Sequence, residues 1–71
     1  MITKQDIQEN PSAYPVHVKV EGEETIGHIL GVKLDFPIIC CDSLMGKPSF
    51  EFSWKTILLH LNNYDHKYLI A

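Results

Sequence analysis

Four histidines (His17, His28, His60 and His66) and two cysteines (Cys40 and Cys41) are the side chains in this 71-residue chain best suited to holding zinc. Their spacing does not suit it. Ligands drawn from one stretch of chain are separated by a few residues so that both can turn to one ion, whereas Cys40 and Cys41 are adjacent and His60 and His66 are split by an expected helix end. A nucleophilic enzyme needs a serine or cysteine, a histidine base and an orienting acid held together in space. Each residue type is present, but there is no nucleophile elbow, no glycine-rich phosphate loop and no paired-carboxylate spacing. A domain this small also has little room for a pocket of roughly 300 to 1,000 Å³. The chain is therefore read as having no catalytic, cofactor-binding or metal-binding residues. Asp65-His66 reads as turn chemistry, and the cysteines as one buried and one half-exposed thiol.

Charge narrows the partner classes. Nine acidic residues against six basic ones give a net charge of −3, and every cation is a lysine: Lys4, Lys19, Lys33, Lys47, Lys55 and Lys67. Arginine supplies the planar fork that pairs with phosphate and guanine, so its absence weighs against nucleic acid as a partner. The lysines are also scattered singly, without a basic cluster. Phe50, Phe52 and Trp54 have the composition of a base-stacking platform, but they alternate with polar Glu51 and Ser53, which places them on the apolar face of a sheet.

The two cysteines are neighbours on an expected strand and so point to opposite faces, which rules out a bond between them and a disulfide scaffold. Reduced thiols fit a cytoplasmic protein. The opening residues lack the charged-then-apolar pattern of a signal peptide, and no apolar run is long enough to span a bilayer. The chain is expected to be soluble, with no membrane partner.

The elements that must carry these residues follow from periodicity. Thr3 and Asp6 have capping-box spacing, so Lys4 to Glu9 should form a short helix before Asn10-Pro11 stops it. Val16, Val18 and Val20 alternate with His17 and Lys19, which is a half-buried strand. Glu21-Gly22-Glu23-Glu24 is a tight acidic connection in which Gly22 can supply positive φ. A long second strand over Thr25 to Leu34 contains Gly27 and Gly31, both candidates for a bend or bulge, with Gly31 or Asp35 able to end it. Phe36 to Cys41 reads as an edge strand, or as a strand that begins properly at Ile38, because Pro37 lacks a ladder donor. Residues 42–48 form a loop, and Phe50 to Trp54 a fourth strand. Trp54, Ile57, Leu58 and Leu61 then fall on one helical face, predicting a helix over Lys55 to Leu61 capped by Ser53. Tyr64-Asp65-His66 reads as a turn into a last strand at Lys67 to Ile70.

The whole chain, residues 1–71, thus predicts a single α+β domain, mainly β: a small curved antiparallel sheet of four to five strands, with one short helix at the N-terminal end and another between the last two strands. The layout is that of an SH3-like barrel, and it is equally compatible with an open sheet packed by helices. A domain of this size buries only about 60% of its unfolded surface, so a partner chain or a second copy of itself would add needed stability.

Filling the interior with Val16, Val18, Val20, Ile26, Leu30, Phe50, Phe52, Trp54, Leu58, Leu61 and Leu69 leaves Ile29, Ile39 and Leu59 outside. The function expected is a non-catalytic protein-binding module, an accessory or inhibitor-like regulator docking on a larger protein, with the Pro37 strand as one edge for β-augmentation. Its predicted contact residues are His17, Lys19, Glu21, Glu23, Glu24 and Ile39. Two alternatives stand beside it. A small-barrel nucleic-acid binder predicts that Lys19, Lys33 and Lys55 converge beside an aromatic. A small enzyme or zinc protein predicts bound metal or paired titratable groups in a pocket.

Overall fold

Glu21 and Gly22 turn the first strand into the second, and their φ angles of 51° and 82° are the two left-handed conformations that a two-residue hairpin turn requires. The computed structural model describes residues 1–33, 36–63 and 68–71. Strand β1 (Val16–Val20) pairs antiparallel with β2 (Glu23–Lys33), with Val20 opposite Glu23, Val18 opposite Thr25 and Val16 opposite Gly27. Directly opposed residues share a face, so the buried valines of β1 carry Thr25 and Gly27 inward with them.

Beyond Gly27, β2 changes partner. Its second half pairs with β3 (Phe36–Cys40), with a register shift between Ile29 and Gly31 that leaves Leu30 as the extra residue of a bulge. The glycine positions thus mark the bend and the bulge, as the sequence predicts. Strand β4 (Ser49–Glu51) follows, then helix α2 (Trp54–Asn62) and strand β5 (Leu69–Ile70). The sheet order is β4-β3-β2-β1-β5, a curled half-barrel. The α+β class, the five strands and both helices match the expectation. One pairing differs: β5 lies parallel to β1, because the chain crosses from the β4 edge through α2 and enters the far edge in the direction of β1.

Helix α1 (Lys4–Glu9) has the predicted capping box, in which Thr3 Oγ1 accepts from the Asp6 amide (3.3 Å) and Asp6 Oδ2 accepts from the Thr3 amide (2.9 Å). That backbone donor, with the Thr3 hydroxyl, holds the Asp6 carboxyl below its usual range. Ser53 caps α2 by accepting from the Thr56 amide at 3.2 Å. The helix begins one residue before its predicted start, so Trp54 belongs to it and not to β4. Asn62 ties the two helices together: its side-chain amide both accepts from the Ile2 amide (2.8 Å) and donates to the Ile2 carbonyl (2.9 Å).

The core consists of Ile7, Val16, Val18, Ile29, Ile39, Cys41, Ile57 and Leu69, with Val20, Phe50, Phe52, Trp54, Leu58 and Leu61 packed partly buried against it. Four sequence assignments change. Ile29 and Ile39, expected outside, are buried opposite one another on β2 and β3, while Ile26 and Leu30, expected inside, are exposed. The turn explains this, since a two-residue loop puts the odd-numbered residues of β2 on the valine face. Leu59 is exposed as expected.

Strand β3 is interior, not an edge. Pro37 is tolerated because its carbonyl points toward β4, where it accepts from the Phe52 amide at 3.3 Å. A strand residue's two backbone groups point the same way, so the missing donor also faces that side, just past the end of β4. Both thiols are buried, rather than one. The expected turn at residues 64–66, Lys67 and the β2 end at Leu34-Asp35 lie outside the described residues. Among the described residues, no helix is long and apolar enough to cross a membrane.

Candidate functional site

The structure splits the six predicted contact residues three ways. Ile39 lies fully buried in the core, so it offers no surface to a partner. Its strand alternates inward at Pro37, Ile39 and Cys41, and the bulge in β2 keeps Ile29 and Ile39 paired on that side. Glu21 lies in the hairpin turn and Glu23 directly follows it. His17, Lys19 and Glu24 meet on the outer face of the sheet, because His17 opposes Ile26 and Lys19 opposes Glu24 on the side away from the valines.

Tyr68, just before β5, organises this outer group. Its hydroxyl donates to Glu24 Oε2 at 2.9 Å, and that hydrogen bond, helped by partial burial and the carboxylate's charge, raises the Tyr68 hydroxyl above its ordinary range. Lys19 Nζ sits 5.2 Å from the centre of the Tyr68 ring and 3.9 Å from Glu24 Oε1. The His17 ring meets Tyr68 edge-on, with centroids 6.0 Å apart, and meets His60 at 6.1 Å.

His60 enters from α2 for a structural reason. Among the described residues, β5 pairs with β1 at Val18 and Lys19 and not at His17, so the His17 amide projects beyond the end of that short strand. His60 Nε2 accepts from it at 3.1 Å, supplying the acceptor that a longer β5 would have given. A pocket of about 150 Å³ beside this contact is lined by Thr56, Leu59, His60, Asn63, Tyr68 and Leu69. It is smaller than the roughly 300 Å³ at which ordinary ligand sites begin.

Next to the polar group runs an apolar strip. On the same outer face, Ile26 is 50%, Leu30 63% and Phe36 48% exposed, with exposed His28 between Ile26 and Leu30 on β2 and half-buried Ile38 on β3. Sequence reasoning placed Ile26 and Leu30 in the core and gave Tyr68 no role. The missed signal is the Glu21-Gly22 turn, which, taken as a strict two-residue loop, sets the whole register.

The thiols face different surroundings. Cys40 Sγ donates to Asp42 Oδ1 at 3.1 Å, and this bond, with desolvation, holds the thiol protonated above its usual value. Burial does the same for Cys41. A protonated, shielded thiol is a poor nucleophile. Among the described residues, no group of three or more His, Cys, Asp or Glu side chains is placed to hold a metal ion. Lys19 is engaged by Glu24 and Tyr68, Lys55 stands exposed on α2, and the Lys33 side chain lies outside what is described. Comparison with protein-family models, with curated proteins and with solved structures finds no match to this chain.

Proposed function

We propose that the chain is a non-catalytic protein-binding module, an accessory or inhibitor-like regulator, that docks on a larger protein through the outer face of its sheet. The observation that carries this reading is the strip of Ile26, Leu30 and Phe36, each about half exposed or more on one face. Large apolar side chains gathered on a surface and bordered by polar groups are the usual composition of an interface centre and its rim. Here the border residues already contact one another: Tyr68 donates to Glu24, and His17 and Lys19 lie against the Tyr68 ring, which lowers the side-chain freedom lost when a partner arrives.

The test is a cross-linked pull-down from the native host with wild-type chain and with Ile26→Glu and Leu30→Glu variants, which alter exposed positions. A partner recovered by wild type and lost by both variants, with their thermal unfolding unchanged, supports the reading. Equal recovery by the variants, or no stable partner, overturns it. If light scattering gives a dimer that Ile26→Glu dissociates, the partner is a second copy and not a larger protein.

A further inference from the structure

Among the described residues, the half-barrel is open on one side. β4 and β5 end the strand order and do not pair with each other, and at the hairpin end of the resulting seam lies a groove of about 470 Å³. Its apolar lining is Val20, Leu44, Met45, Pro48, Phe50 and Ala71, and its rim includes Glu21 and Glu23. Val20 and Phe50 face this side as the outermost inward-pointing residues of their strands. Leu44 and Met45 are delivered by two consecutive turns, closed by Leu44 N–H to Cys41 C=O (3.2 Å) and Lys47 N–H to Leu44 C=O (3.0 Å). The second turn places Gly46 at a φ of 82° and leaves Met45 fully exposed.

We infer that this groove receives a peptide segment of another protein in which apolar side chains are flanked by lysine or arginine. Charge complementarity decides the occupant. Glu24 is taken up by Lys19 and Tyr68, but the carboxylates of Glu21 and Glu23 have no hydrogen-bond or ion-pair partner among the described residues. Two uncompensated negative charges at the edge of an apolar channel attract a cation and repel an acidic or phosphorylated segment. A second copy of this chain, itself at −3, is a poor match for the same reason. Met45 suits the role, since an unbranched thioether adapts to different apolar side chains.

Glu21 adds a further point. Its position in the turn favours asparagine, aspartate or glycine, and a glutamate there sits in a left-handed conformation at a steric cost. Glu21 is one of the residues that line the groove. The inference does not rest on the outer-face docking, because the groove and the Ile26-Leu30-Phe36 strip have no residue in common.

The test is selection of random peptides displayed on phage against the full chain, followed by fluorescence anisotropy on the enriched peptides. Enriched sequences should carry Lys or Arg beside Leu, Ile, Met or Phe. Their affinity should fall about fivefold or more in the Glu21→Gln/Glu23→Gln double variant, as for the loss of partly shielded ion pairs. It should also fall at about 1 M salt, where the Debye length is roughly 3 Å. Met45→Ser, which removes the apolar contact without adding charge, should weaken binding too, and Ile26→Glu should leave it unchanged. Failure to enrich any peptide, enrichment without cations, indifference to the double variant, or loss in Ile26→Glu instead would each overturn the inference. So would a dimer in light scattering that Met45→Ser dissociates, since the occupant would then be a second copy.

Discussion

Gly27 and Ile39 lie so close across the core that a Cβ on Gly27 would stand 2.5 Å from the Cγ2 methyl of Ile39 and 3.3 Å from a Val18 methyl. Gly27 is where β2 leaves β1 for β3, so the absence of a side chain lets the two halves of the sheet fold over one another. The methyl it would strike is on a β-branched side chain in a filled core and cannot swing away. Gly27→Ala should therefore destabilise the fold by about 1 to 3 kcal/mol, the usual range for overpacking. Ile26→Ala, one residue away and exposed, should stay within about 0.5 kcal/mol. Urea unfolding of the two variants checks this, and equal midpoints would remove Gly27 from its role at the bend.

Much of the architecture was legible because it rests on local rules. The Thr3 and Asp6 cap, the Ser53 cap, the α2 stripe and the β1 alternation each depend on residues a few positions apart. Ile26, Ile29, Leu30 and Ile39 were misplaced because a strand of β-branched and apolar residues on both faces has no period-two signal of its own. Only pairing to β1 decides which face turns inward, and pairing is a non-local property. The candidate site suffered in the same way. His17, Lys19 and Glu24 were found by alternation and charge, but Tyr68 joins them through a parallel pairing with no sequence signature, and the groove exists only because β4 and β5 fail to meet.

His60 should be in a single tautomer. Because Nε2 accepts from the His17 amide, the lone pair sits there and the neutral ring carries its proton on Nδ1. Long-range proton–nitrogen NMR distinguishes the two forms, and an Nε2–H tautomer would contradict the geometry. His60→Ala should cost about 1 kcal/mol for the strand amide left without its acceptor. The His17 amide should also exchange with solvent faster in that variant.

The thiols should be sluggish in the folded chain and should shape its alkaline limit. Both are buried, and their ionisation is pushed above the ordinary thiol value of 9.0, for Cys40 first by its bond to Asp42 and for Cys41 first by desolvation. Reaction with an aromatic disulfide reagent should thus be slower than in the urea-unfolded chain, and Asp42→Asn should speed it at Cys40. The sign of the stability effect follows. An unfolded thiol ionises at its ordinary value while the folded one keeps its proton, so this contribution is complete below 9.0 and is lost as pH rises through the raised values. Urea midpoints should fall on that limb, and less so in Cys41→Ala. A flat alkaline profile would mean that the folded thiols ionise as freely as the unfolded ones.

Glu21 separates folding from binding. At a φ of 51° it occupies the first central position of a turn that asparagine fills with less steric penalty. Glu21→Asn should consequently stabilise the chain by about 1 kcal/mol, a typical left-handed cost for a residue without local hydrogen-bonding capacity. The same change removes one of the two carboxylates at the groove, so the more stable protein should bind the selected cationic peptides less tightly. Gly22→Ala, at a φ of 82° with open space around it, should destabilise the turn without touching the groove charge. Its peptide affinity, measured under conditions where it is folded, should match wild type. If Glu21→Asn instead lowered stability, the glutamate would be serving the hairpin itself, and the link between its strained backbone and the groove would fall.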